Sequence, residues 1–159
     1  MSNAIPPRPR LATSIKRQFA IVASQYNATY VQGLIDHATA ELRALAANSR
    51  VSLQQVPGAF EIPLIVQELA AQKRADVIIA VGVILHGQTH HAEHLGRSVT
   101  DALQRIALQY GVPVINAVLS LDSEEQARER CLDHEINRGT EAARAAVQIA
   151  TVMAELRGS

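Results

Sequence analysis

Alternation along the chain constrains its fold more than any other feature. Four short runs rich in branched apolar residues occur: "FAIVAS" (19–24), "RVSLQQV" (50–56), "DVIIAVGVIL" (76–85) and "VPVINAVLS" (112–120). Each is followed by a stretch with helical period. The helices are expected from Ala28 to Ala47, from Pro63 through "LIVQELAAQ", from Thr89 to Tyr110, and through "RGTEAARAAVQIATVMAEL". A shorter helix, "SEEQARERC", opens with a capping-box spacing from Ser123 to Gln126. Strand, helix, strand in succession closes most readily as a parallel pair with a right-handed crossover, which puts helices on both faces of the sheet.

The expected fold is therefore α/β, a flavodoxin-like doubly wound sandwich with a four-stranded parallel sheet and helices on both faces. "DVIIAVGVIL" is the most apolar run and belongs at the sheet centre, whereas "RVSLQQV" alternates as an edge strand does. Residues 15–159 suffice for one such domain, and residues 1–14 are expected to form a mobile arm or a docking strand. The opening "MSNAIPPRPR" has no apolar stretch of the kind a signal peptide carries.

Composition removes several function classes. Lys and Arg number 15 and so do Asp and Glu, so no bulk charge calls for nucleic acid or an anionic membrane. Two Phe, three Tyr and no Trp make a poor platform for stacking single-stranded nucleic acid. The longest apolar runs are too short to span a bilayer. Cys131 stands alone, so there is no disulfide framework, and the cytoplasm is the expected compartment. Cys131 itself reads as a small, partly buried apolar residue.

In sheets of this kind, ligands bind beyond the carboxyl ends of the strands. After the first run stand Gln25, Tyr26 and Asn27; after the second, Gly58, Ala59, Phe60 and Glu61; after the third, His86, Gly87, Gln88 and Thr89, then His90, His91 and His94. The passage from Gly87 through Thr89 into a helix leaves N–H groups unpaired, and with the helix dipole they favour an anion such as phosphate. His91 falls in that first turn, where the dipole disfavours imidazolium and leaves a neutral ring fit to accept a proton. The plainer alternative is a helix capped by Thr89 with its histidines facing solvent.

"PGAFEIP" offers Phe60 as a stacking surface and Glu61 as an acceptor; alternatively Phe60 fills the core and Glu61 only complements a dipole. Tyr26 is open to the same two readings. "ARERCLDHEINRG" supplies Arg128, Arg130, His134 and Arg138. Such a run is either a solvated helix face or, beside a phosphate-binding rim, the source of a bidentate partner in Arg130. His90, Glu93 and His94 fit the H-x-x-E-H zinc spacing. Short matches are frequent in a His-rich stretch, and Glu124, Glu125, Glu129 and Glu135 show no distinctive spacing for a third ligand. No metal is expected.

Together, "PGAFEIP", "GVILHGQTHH", "GVPVINAVLS" and "SEEQARER" followed by "NRG" resemble the 6,7-dimethyl-8-ribityllumazine synthases in order and spacing, from about Phe19 to Leu156. The resemblance implies a flavodoxin-like fold, a homopentamer or multiple of pentamers, active sites shared between neighbouring copies, and no metal or organic cofactor. It implies condensation of 5-amino-6-(D-ribitylamino)uracil with 3,4-dihydroxy-2-butanone 4-phosphate, releasing phosphate and water.

Carried over by position, Tyr26 stacks on the pyrimidine, Asn27 and Glu61 contact the ribityl chain, and Ala59 and Phe60 line the pocket. Val83 and Ile84 offer backbone to the heterocycle, Gln88 and Thr89 hold the phosphate, and His91 transfers protons. The neighbouring copy contributes Arg130 to the phosphate, with Asn116 and Arg138 closing the pocket over the ring. The chain departs from the family's commoner residues at Tyr26, His86, Ala92, His94, Asn116, His134 and Arg138, and keeps Glu61, Thr89, His91 and Arg130. A non-catalytic flavin- or lumazine-binding or scaffold paralogue of the same fold is the alternative, and the retention of His91 and Arg130 favours the enzyme.

Overall fold

A computed structural model of the protein describes residues 2–11 and 16–158. Strands β1 (Gln18–Ser24), β2 (Arg50–Val56), β3 (Val77–Leu85) and β4 (Val114–Leu121) form one parallel sheet in the order β2-β1-β3-β4. The connections run through α1 (Ala28–Leu45), α2 (Ile62–Ala71) and α3 (His91–Tyr110), and α4 (Glu124–Cys131) and α5 (Arg138–Arg157) complete the chain. This is the flavodoxin-like doubly wound sandwich.

The side-chain period of two along a strand divides the core into two layers. Phe19, Ile21 and Ala23 of β1 pack with α1, α4 and α5 on one face, while Ala20 and Val22 pack with α2 and α3 on the other. β3 divides its residues in the same way, with Val77, Ile79 and Val81 on the first face and Ile78 and Ala80 on the second. Leu34, Leu42, Leu45, Ile62 and Leu103 are fully buried between helices and sheet, and burying side chains of this size is worth about 1.5–3 kcal/mol each. β3 lies inside the sheet as its composition requires. β2 is an edge strand, exposed or half-buried until Val56, and β4 forms the other edge.

Glycines set the helix spacing on one face. A Cβ at Gly33 of α1 would run into the Cys131 carbonyl, and one at Gly139 of α5 into the Leu34 carbonyl, so α1 lies directly against the α4–α5 segment. Cys131 is fully rather than partly buried in that layer. Burial pushes its thiol up to about 12, which makes it inert as a nucleophile.

Some boundaries differ from the sequence reading. β4 begins at Val114 instead of residue 112, because Pro113 has no N–H to place in the ladder; its carbonyl accepts from Ile78 N at 3.0 Å. α3 begins at His91, two residues after Thr89, and Thr89 is not its cap. The expected box at α4 forms with a shift: Ser123 Oγ accepts from Gln126 N at 3.2 Å, while Gln126 Oε1 accepts from Asp122 N, at 2.9 Å, rather than from Ser123. The start of α5 is capped by Asn137, which is completely buried and accepts from Gly139 N and Thr140 N at 2.9 and 3.1 Å.

Of the arm expected over residues 1–14, residues 2–11 are described, and the boundary placed at 14 lies outside the described residues. Residues 2–11 contain neither helix nor strand and hydrogen-bond to α1 and α5 of their own chain. Among the described residues no helix is long and apolar enough to cross a membrane.

Candidate active site

The parallel register builds a stepped rim at the carboxyl ends of the strands. β1 and β2 finish together, with Ser24 opposite Val56, and Gln25 N donates to the Pro57 carbonyl at 3.2 Å. β3 continues past them, because Ala23 is opposite Val81 and the pairing of Val83, Ile84 and Leu85 is with β4. Asn27 joins the step to the overhang. It adopts left-handed backbone, φ 56° and ψ 49°, which Asn tolerates better than most residues, and its Nδ2 donates to the Val83 carbonyl at 2.7 Å. The Val83 and Ile84 side chains are buried, so only their backbone faces the rim.

The turn after β2 supplies the rest of the shelf. Gly58 leads into a single 3-10 turn, Ala59–Glu61, with Glu61 N donating to the Gly58 carbonyl at 3.2 Å. A Cβ on Gly58 would stand 3.1 Å from the Tyr26 ring and 3.3 Å from Glu61 Oε2, so ring and carboxylate flank this glycine. Tyr26 is 71% exposed and Phe60 72% exposed, which rules out the core role left open for Phe60. Ala59 is buried beneath them, packed in one cluster with Ile62, Ile84 and Ala92 of α3. That packing brings the start of α3 onto the turn.

His91 is the first residue of α3 and is exposed, as are Gln88, Thr89 and His90 before it. No side chain caps this helix, so its first N–H groups are left to solvent or a ligand. Glu93 in the first turn pairs with Arg97 as an ion pair at 3.6 Å and lies 3.9 Å from His90 Nδ1. Among the described residues, no three His, Cys, Asp or Glu side chains converge in a metal-binding arrangement.

The remaining candidates are elsewhere on the same chain. Asn116 is opposite Ala80 on β4, three rungs and about 10 Å below Val83 at the strand rise of 3.3 Å. It donates to Thr100 Oγ1 at 3.2 Å and shares a cavity of about 230 Å³ with Arg138, Glu141 and Ala142. Arg130 and Arg138 belong to the α4–α5 layer, across the sheet from α3. Of the charge run they come from, Arg128 and His134 are exposed, but these two arginines are not. Arg130 is 9% and Arg138 3% exposed, and the Nε of each is buried with no acceptor. Among the described residues Arg130 Nη1 reaches only Glu129 Oε2, at 3.4 Å. A buried donor left unpaired costs about 1–3 kcal/mol, which an incoming acceptor recovers.

The structure therefore brings Tyr26, Asn27, Ala59, Phe60, Glu61, Val83, Ile84, Gln88, Thr89 and His91 to one rim, and leaves Arg130 and Arg138 in the α4–α5 layer and Asn116 on the outer strand β4, bonded to Thr100 of α3. The family model of 6,7-dimethyl-8-ribityllumazine synthase matches residues 16–154. The chain belongs to that family. The match covers the whole sheet and all five helices up to the last turn of α5, so rim and distant face both lie within it. Membership in the lumazine synthase family implies a transferase of riboflavin biosynthesis.

Sequence reasoning gave no role to two residues that position this site. Gly58 sets the gap between Tyr26 and Glu61, and its signal was its place in "PGAFEIP". Asn137, whose signal was an Asn just before a helical run, fixes the start of α5 and with it Arg138.

Proposed function

We propose that the protein is a working lumazine synthase, condensing 5-amino-6-(D-ribitylamino)uracil with 3,4-dihydroxy-2-butanone 4-phosphate to 6,7-dimethyl-8-ribityllumazine. The observation that carries the reading, beyond family membership, is the open shelf on which Tyr26 and Phe60 are exposed around Glu61 beside the uncapped start of α3. A planar pyrimidine would cover the Tyr26 ring. Glu61 and Asn27 would take the ribityl hydroxyls, and the backbone of Val83 and Ile84 would meet the heterocycle edge. The uncapped N–H groups at the start of α3, next to Gln88 and Thr89, suit the phosphate.

The 5-amino group attacks the butanone carbonyl, and loss of water gives an imine. A proton then leaves C3 and phosphate leaves C4. The resulting enol tautomerises to a ketone at C3 with a methyl group at C4, and the ribitylamino nitrogen closes the ring on that ketone with loss of a second water. His91, at the end of the phosphate-binding loop, carries protons between these steps. No metal or organic cofactor has a part in this scheme.

A second copy of the chain completes the site with Arg130 on the phosphate and Asn116 and Arg138 over the ring. The place of Asn116, about 10 Å down the sheet from Val83 and in a cavity shared with Arg138, supports that division. The assembly proposed is a homopentamer or multiple of pentamers, acting in the cytoplasm. Product formation from the two substrates by EDTA-treated protein, followed by lumazine absorbance, tests the reading. Turnover in the chelated sample supports it and excludes a zinc hydrolase at His90, Glu93 and His94. Ligand binding without turnover would favour a binding or scaffold paralogue.

A further inference from the structure

β1 leaves β3 before β3 ends, and one side chain closes the gap. Ala23 is opposite Val81, so the ladder carried on would set Gln25 opposite Val83. Gln25 instead gives its N–H to the Pro57 carbonyl, on the turn after β2. The Val83 carbonyl thereby loses its strand neighbour, in a buried residue where a carbonyl without a donor is costly. Asn27 Nδ2 supplies the donor at 2.7 Å. Only the nitrogen of an amide can face a carbonyl, so the way this side chain points is fixed.

The bond is made at the expense of a local one. An Asn at the start of a helix ordinarily lies in extended backbone and accepts from an N–H two or three residues on. Asn27 lies in left-handed backbone, φ 56° and ψ 49°, and its side chain makes no such cap. Its carbonyl accepts from Tyr30 N and Val31 N, both at 3.1 Å, while its amide reaches a partner 56 positions away. Two properties are needed together: tolerance of left-handed backbone and a neutral donor of this length. Asp has the first but, ionised, only accepts; Gly has the first and no side chain.

Tyr26 lies between two anchors. The Gln25–Pro57 bond ties it to the turn after β2, where a Cβ on Gly58 would stand 3.1 Å from its ring, and the Asn27–Val83 bond ties it to β3. We propose that Asn27 is a positioning residue: its bond to Val83 holds Tyr26 at a fixed distance from the β3 overhang and so sets the slot that a planar heterocycle enters. The inference rests on the reading of Tyr26 as the stacking residue. It goes beyond a contact of Asn27 with the ribityl chain, for which the bond leaves Oδ1 and the second N–H.

The test uses the full chain with Asn27→Asp and Asn27→Gly. The probe is 6,7-dimethyllumazine, the product ring without its ribityl chain, titrated calorimetrically. Hydrogen–deuterium exchange of the ligand-free proteins, followed in peptides covering 24–30 and 82–87, reports whether turn and overhang come apart. Both variants should stay folded, exchange about tenfold faster in both peptides, and bind the bare ring about tenfold more weakly, as when the binding-competent arrangement falls to about a tenth of the population. Weaker ring binding with unchanged exchange would make Asn27 a direct partner of the ring. Faster exchange with unchanged ring binding, or unfolding of both variants, would make the bond structural only. Each of these results overturns the positioning role, and so does a wild-type chain that forms product yet holds no bare ring. Absence of turnover in the wild type would remove the enzyme, while the ring titration still decides the role of Asn27.

Discussion

Gly58→Ala perturbs the rim without removing any group assigned to a substrate. Gly58 sits at φ −138° and ψ 176°, extended backbone that alanine adopts freely. The new Cβ would lie 3.1 Å from Tyr26 Cδ2 and Cε2 and 3.3 Å from Glu61 Oε2. Comfortable carbon contacts begin near about 3.5 Å, so ring and carboxylate must each retreat by a few tenths of an ångström. Both are exposed, so nothing resists the movement. Loss of glycine's freedom in the unfolded chain stabilises by about 0.4–1 kcal/mol, and the melting temperature should stay within a few degrees of the parent. Catalytic geometry is less forgiving. A misplacement of about 1 Å costs about a hundredfold, and a third of that displacement corresponds to about fivefold. Initial rates by lumazine absorbance should show KM for ribitylaminouracil raised about fivefold, with KM for the butanone phosphate unchanged. A well-folded variant with an unaltered KM for ribitylaminouracil would refute the role given to the Tyr26–Glu61 gap.

His91→Ala should lower kcat on the order of a hundredfold with ribitylaminouracil binding kept, and a wild-type rate would take His91 out of proton transfer. Arg130→Ala should chiefly raise KM for the butanone phosphate, which steady-state titration of that substrate checks. Asn137→Ala removes the acceptor for two N–H groups and the donor to the Asp133 carbonyl at 3.0 Å. The expected loss is about 2–3 kcal/mol, read from urea melts at fixed protein concentration; a loss below about 0.5 kcal/mol contradicts the cap. Burial pushes the Glu41 carboxyl up, but the hydrogen bonds and charges of Arg8 and Arg144 outweigh it and hold it below the ordinary 4.5. A depressed folded-state value stabilises above 4.5 and is lost as pH falls through the lower folded value. The urea midpoint of the parent should therefore exceed that of Glu41→Gln by a constant margin near neutral pH, and the margin should close once pH drops below 4.5.

The fold was legible because its signals are local. β1 and β3 are continuous branched runs, β2 alternates, and each is followed by a helical period, so parallel pairing follows from sequence order. The rim was legible for the same reason, since topology sends all carboxyl ends one way. What each rim residue does there was not. Phe60 is compatible in sequence with a core or a shelf, and only the 3-10 turn that points it outward decides between them. Whether Arg130 and Arg138 belong to a solvated run or to a binding site stays open in their local pattern, because charge patterns do not reveal how closely α1 approaches α4 and α5, which Gly33 and Gly139 permit. The Arg144–Glu41 pair spans 103 positions and carries no local signal. The start of α3 was misplaced by two residues because the structure gives it no capping side chain.

The central claim is that one chain's rim works with a neighbour's Arg130. His91→Ala and Arg130→Ala chains, differently tagged and co-expressed so that mixed assemblies can be purified through both tags, test it directly. In a head-to-tail ring with random mixing, half of the rims keep His91 and half of their neighbours keep Arg130, so about one quarter of the sites are intact. At butanone phosphate well below the raised KM of Arg130→Ala, the account predicts turnover in the mixed assembly near a quarter of the wild-type rate, well above the mean of the two parent variants. Mixed assemblies no more active than that mean would contradict it and place His91 and Arg130 in the same chain's site or outside the chemistry.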